Sequence, residues 1–228
     1  VINQKGVDTQ NEVVKEEKRL RVDNSPYGKF IENIKKNLFK KHPYKETVIG
    51  KMSHLDAATL EEFKAFQKKF YVPNNAVLVV AGDFEKENTK KLISDYFSSI
   101  PKGQEISREF PKEDPILEQI NAKAYDPNIQ IPATMIAYRT PGIKNRDSQV
   151  LEMIATYLSD GPSSKLYKKI VDKQKQALQI GAFPATQEDY GMYIVFALPV
   201  GETSLDVLNT EMEEEIEKLR TNLISEND

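Results

Sequence analysis

The 228-residue sequence has no cysteine, no tryptophan and only two histidines. Without cysteine there is no disulfide framework, no thiolate nucleophile and no Cys-ligated metal site. That absence does not fix the compartment. The two histidines, His42 and His54, confine most imidazole chemistry to two positions or exclude it. No apolar stretch approaches the roughly 18–20 residues that a membrane-spanning helix needs. The opening residues 1–5 show neither the charged start nor the apolar run of a signal peptide. Thirty-two basic against thirty-five acidic side chains leave a formal charge of −3, which argues against a nucleic-acid platform. No phosphate-cradling loop or dinucleotide fingerprint is found.

What remains is 39% hydrophobic and 29% charged, with a mean hydropathy of −0.55, the composition of a globular chain. Its length leaves room for one large domain or two small ones, with a real core.

The pattern Thr9-Gln10-Asn11-Glu12 reads as a capping box and predicts a first helix to about Val22. Ser25-Pro26 predicts the start of a second, with Tyr27, Phe30, Ile31, Ile34 and Leu38 on one stripe, ending at His42-Pro43. A third carries Leu60, Phe63, Phe66 and Phe70 and stops at Pro73. The valine-rich run 76–82 (AVLVVAG) predicts a buried strand, followed by a helix over 85–97. Residues 101–115 hold three prolines, many charges and little periodicity, and read as a linker. Beyond it, strands are predicted at 119–125, 133–139, 177–183 and 192–198, with helices at 147–158, after Ser163-Ser164 and over 203–224. Several strand pairs lack the crossover helix that a parallel sheet requires. The expected fold is therefore α+β, a largely antiparallel sheet with helices packed on one face. Strand, turn and acidic helix recur at 76–97 and 192–224, a weak internal echo of two related modules.

Glu17 is the most informative position. Val13, Val14 and Leu20 stand four before, three before and three after it, the spacings that share a helix face, with Gln10 two turns back. The spacing predicts a carboxylate in the middle of the helix's apolar stripe. Ionised there, it costs several kcal/mol unless it is paired or bound to a cation. The residues alone leave two roles open, an ion-paired or rim-exposed acid and a metal or catalytic group.

The string TQNEVVKEEKRLR, then Pro26-Tyr27-Gly28, HPY at 42–44, and FYVPNNAVLVVAGDF over 70–84 resemble the insulinase/pitrilysin family of zinc peptidases. GPSSKLY over 161–167 is similar to that family's second-module signature, so the resemblance runs along nearly the whole chain. The resemblance implies that Glu17 is the third zinc ligand and that Gln10 takes the supporting position seven residues earlier. A glutamate is usual at that supporting position; the neutral amide of Gln10 keeps hydrogen bonding and loses the charge. The family's H-x-x-E-H, two histidine ligands and a glutamate base on one helix, is absent. Neither His42 nor His54 has a histidine four residues away, and both read as structural. Since the family's motif precedes the glutamate helix, the resemblance implies that it lies upstream of Val1 and that no catalytic residue is expected in this chain.

A second family feature, an Arg and a Tyr seven residues apart, falls on Val171 and Leu178, which can neither hold a peptide carbonyl nor stabilise an oxyanion. The resemblance thus implies a later module or partner subunit that supplies the Arg/Tyr pair. The expected organisation is the C-terminal part of a catalytic, zinc-bearing module over 1–103, a linker over 104–116, and the N-terminal part of a non-catalytic module over 117–228. The expected function is part of a zinc metalloendopeptidase acting on peptides, inactive and at best weakly zinc-binding as this piece alone. The alternative is a catalytically silent core or scaffold subunit. Two incomplete modules can complement each other within a chain or as a homo-oligomer. An extracytoplasmic setting follows by family analogy alone.

The acids Glu211, Glu213, Glu214, Glu215 and Glu217 are expected on a solvated helix face. Ser163-Ser164 lacks the G-x-S-x-G context of a nucleophile and reads as a helix N-cap.

Overall fold

The structure, a computed structural model, describes residues 2–225. It forms two compact units, one running through Gly28 together with Lys41–Asp114, the other comprising Lys29–Lys40 and the residues from Pro115 onward.

In the first unit, α1 (Gln4–Lys18) begins earlier than the Thr9 pattern predicts. Asn3 is its cap, the side chain accepting the Gly6 amide at 2.8 Å. Thr9 lies inside the helix and its hydroxyl donates to the Lys5 carbonyl at 2.8 Å. A strong Asn cap nearly two turns upstream extends the helix past the weaker signal. The helix then widens into a π turn at Arg19–Asp23. Tyr27, with φ of 61°, breaks the chain direction, so no helix starts at Pro26. The short α3 (Met52–Ala57) and α4 (Leu60–Phe70) follow. A complete capping box opens α4, with Thr59 accepting from the Glu62 amide and the Glu62 carboxylate accepting from the Thr59 amide. The last helix of this unit is α5 (Lys86–Phe97), capped by Glu85.

The predicted strand over 76–82 is extended in direction but unpaired among the described residues. A strand needs a neighbour to satisfy its backbone, and none of the described residues offers one. The predicted strand over 119–125 is likewise unpaired.

The second unit is built on three antiparallel strands in the order β1-β3-β2, with β1 Thr134–Pro141, β2 Ala177–Thr186 and β3 Tyr190–Pro199. Thr134 pairs with Ala197, and Ile180 also pairs with Ala197 from the other side. Central β3 is buried almost continuously, as an apolar run covered on both faces should be. Tyr193, Val195 and Ala197 form its core face with Ile180 and Ala182. Leu158 from α6 (Arg146–Ser159), Leu166 and Ile170 from the following turns, and Leu208 and Met212 from α7 (Leu205–Thr221) close that core. Also in this unit is α2 (Phe30–Leu38), whose Leu38 carbonyl accepts from Arg139 of β1 at 2.8 Å. The fold is α+β with an antiparallel sheet, as the sequence leads one to expect.

Candidate functional site

Which way α1 turns its faces decides the environment of Glu17. Its inward face carries Val7 and Lys18, both buried, with Asn11 and Val14 half-buried between them. The Asn11 amide donates to the Leu55 carbonyl at 3.1 Å, and the Lys15 ammonium bridges Asp56 at 2.6 Å and Glu12 at 2.7 Å. Hydrogen bonds donated to Asp56 first, then to Glu12, raise Lys15 above the ordinary lysine value. These contacts lock one side of α1 against α3.

The opposite flank bears Gln10, Val13, Glu17 and Leu20 at spacings of three, four and three. Of the stripe read from the sequence, Val13 and Leu20 face outward, 53% and 64% exposed, while Val14 turns to the inward side. Gln10 is exposed too. The Glu17 side chain is 43% exposed and pairs with Arg21 at 3.3 Å. The expected desolvated carboxylate is therefore corrected to a half-solvated one, and the burial cost argued for it does not apply within this chain. Directly after Glu17 the helix passes into the π turn. Such bulges occur often at functional positions because they re-aim the side chains around them.

The other sequence candidates lie elsewhere. His42 is buried, its Nδ1 accepting from the Tyr44 amide at 3.2 Å and its ring edge-on to Tyr44 and Phe110 at 4.2 and 5.3 Å. Its backbone N–H donates to Glu113 at 2.7 Å. This is structural anchoring. His54 is exposed and sits within α3. Val171 packs against the core of the sheet unit, and Leu178 projects outward from β2. Among the described residues no three of His, Cys, Asp and Glu gather as a metal group. One carboxylate does not hold zinc, so these residues alone do not fit the ion.

One polar cluster escaped the sequence reading. Of the α7 acids, Glu211 and Glu215 turn inward, and the Lys169 ammonium lies 2.6 Å from Glu211, 3.1 Å from Glu214 and 3.0 Å from Glu215. Lys218 adds a 2.6 Å pair to Glu215. Burial alone pushes the Glu215 carboxyl up, but hydrogen bonds from Lys218 and Lys169 outweigh it and hold the group below the ordinary value. Nothing in the helical spacing of α7 reveals Lys169, which arrives from the π turn at Tyr167–Lys173.

Comparison with known proteins places these features in a family context. The family model described as the peptidase M16 inactive domain matches residues 57–228. The zinc protease PqqE of Helicobacter pylori is 27% identical over 219 residues, 95% of this chain and 49% of that protein. An uncharacterized zinc protease of Rickettsia felis is 24% identical over 199 residues, 86% of this chain and 46% of that protein. The crystal structure of a protease from Helicobacter pylori superposes with a TM-score of 0.86 at 25% identity, covering all of this chain and 55% of that one. The chain thus spans about half the length of the curated relatives it matches.

Proposed function

From the premise that the chain belongs to the peptidase M16 family, its inactive-domain model covering residues 57–228, we propose that it is part of a zinc-dependent metalloendopeptidase. In this reading Glu17 would be one ligand of a zinc ion, Gln10 would support it by hydrogen bonding, and the remaining ligands and the glutamate base would come from sequence outside residues 1–228. Substrates are peptides, with an Arg/Tyr pair on a further module or partner subunit engaging the peptide carbonyl. The observation that carries the proposal is the outward stripe of α1, a carboxylate between exposed Val13 and Leu20, ending at a π turn. A helix that exposes its apolar face around one acid is incomplete by itself. Relatives named zinc proteases support the assignment of the metal.

The test is peptide hydrolysis and zinc content of the full-length protein beside its Glu17→Gln variant. Loss of both in the variant is the expected result. Normal rate and normal metal in the variant refute the ligand role.

A second reading, a catalytically silent scaffold of the same fold, is favoured by the description of the matched family model as an inactive domain. An intact H-x-x-E-H in the full-length sequence decides for the peptidase, a degraded one for the scaffold.

A further inference from the structure

Strand β2 carries a proline that a central strand does not tolerate. Pro184 lies opposite Tyr193 in the regular part of the β2–β3 ladder. Proline has no N–H to donate, so within a sheet it is confined to edge strands, at positions whose amide would point away from the neighbour. Pro184 meets that condition. Ala182, two residues earlier, turns both its N–H and its C=O away from β3 and toward α6. Backbone groups of an antiparallel strand repeat this direction at every second residue, so Ile180, Ala182 and Pro184 face the border together. That β2 is a border strand thus follows from its own residues, as well as from the order β1-β3-β2.

A border strand is a template for pairing unless something blunts it. Here one side chain occupies the template. The Ser159 hydroxyl accepts the Ala182 N–H at 2.7 Å and donates to the Ala182 carbonyl at 3.1 Å, its single proton shared with the Ala155 carbonyl at 3.3 Å. It stands where an incoming strand would have to place its own carbonyl and amide. Ser159 is the last residue of α6; the Asp160 amide closes on the Thr156 carbonyl, and Gly161, with φ of 75°, turns the chain away. The helix end is thereby set over the strand, in a groove of about 460 Å³ that Glu152, Thr156, Asp160 and Pro184 also line. At the start of β2 a register shift between Ala177 and Gln179 interrupts the ladder. Pro184 offers no donor, Ala182 is taken, and Ile180 is confined between the serine and the bulge.

We infer that Ser159 seals the β2 edge against strand addition, so that neither an extended peptide nor a second copy of the chain pairs with this border of the sheet. Strand addition gains its affinity from main-chain hydrogen bonds made in a continuous run. At β2 two of three successive outward positions do not supply them, one for want of an N–H and one because Ser159 already holds both groups. Pro184 blunts the edge permanently, whereas the serine is a contact that a single substitution removes. A protein that handles extended peptides therefore holds them elsewhere than on β2. The inference goes beyond the proposed function and uses neither zinc nor Glu17, and its readouts are exchange rate and mass rather than activity.

The experiment is residue-resolved amide hydrogen exchange on the full-length protein, comparing wild type with Ser159→Ala and Ser159→Thr. The Ala182 amide is expected to exchange about five to ten times faster in Ser159→Ala, the worth of one hydrogen bond, while the Val195 amide of central β3 keeps its rate. Ser159→Thr retains the hydroxyl and the wild-type rate at Ala182. An Ala182 rate untouched by Ser159→Ala overturns the inference, and so does an equal rise at Val195, which would make the serine a general stabiliser of the unit. The second readout is solution mass by sedimentation velocity. Ser159→Ala/Pro184→Val is expected to form a species of twice the wild-type mass that dissociates on dilution, whereas Pro184→Val alone, still sealed, keeps the wild-type mass. Wild-type mass in the double variant, or doubling in Pro184→Val alone, contradicts the seal.

Discussion

The Glu17 carboxylate meets the Arg21 guanidinium at 3.3 Å, one turn apart, where the α-helix of α1 opens into a π turn. Both side chains are substantially solvated, so the pair adds a few tenths of a kcal/mol at most. Glu17→Gln and Arg21→Gln in the full-length protein are each expected to change the free energy of unfolding by less than about 0.5 kcal/mol. Urea denaturation measures this. A loss near 2 kcal/mol in Glu17→Gln would make the carboxylate a structural group.

The Lys169 cluster makes the opposite prediction. Its ammonium neutralises Glu211 and Glu215, which are largely withdrawn from solvent. Lys169→Met keeps the aliphatic stem and leaves Glu215 with Lys218 alone and Glu211 with only the Gln174 amide, at an expected cost of about 1–2 kcal/mol after allowance for solvent screening. Lys218→Met, on the exposed side of Glu215, costs much less. Equal, negligible effects in thermal or urea unfolding would show that the cluster is fully hydrated.

The same cluster sets a pH dependence. The folded Glu215 carboxyl lies below its ordinary 4.5, so in the acid range the unfolded chain binds more protons than the folded one. Its contribution is complete above the ordinary value and is lost as pH falls through the lowered one. Wild type should therefore lose stability on acidification more steeply than Glu215→Gln. Lys169 is raised above its ordinary 10.5 by its carboxylate hydrogen bonds, which outweigh burial, so its share persists through mildly alkaline pH. Parallel acid curves for wild type and Glu215→Gln would contradict the assignment.

Gly142, after β1, is packed against backbone. A Cβ there would run into the Glu188 carbonyl oxygen and lie 2.8 Å from the Asp189 carbonyl carbon, in the turn joining β2 and β3. Neither neighbour is a flexible side-chain end. Gly142→Ala is expected to destabilise by about 2 kcal/mol or more, whereas Gly161→Ala, with open space around the site, suffers only from its φ of 75°. Comparison of the two midpoints in urea checks this.

How legible the molecule was depends on how local the cause is. The Thr59/Glu62 box, α4, α5, the three strands of the sheet and α7 follow from caps and periodicities contained in their own segments. The start of α1 was misread because Thr9-x-x-Glu12 resembles a cap while Asn3, further upstream, performs the capping. Residues 76–82 have the composition of a strand and are unpaired among the described residues, because pairing depends on a neighbour and not on the segment. Around Glu17 the stripe was readable and its direction was not. Helical spacing reports which side chains share a face; which face turns inward is set by the Asn11 and Lys15 contacts with α3. The tie between Lys169 and α7 joins segments far apart in sequence, and no short-range pattern encodes it.

The most direct test of the central claim is zinc per chain, measured by elemental analysis on the full-length protein after dialysis against trace zinc. Wild type and Arg21→Gln are expected to retain about one ion, and Glu17→Gln to lose most of it, with affinity at least about tenfold weaker. Retention of zinc by Glu17→Gln at the wild-type level would contradict the claim that this helix supplies a ligand.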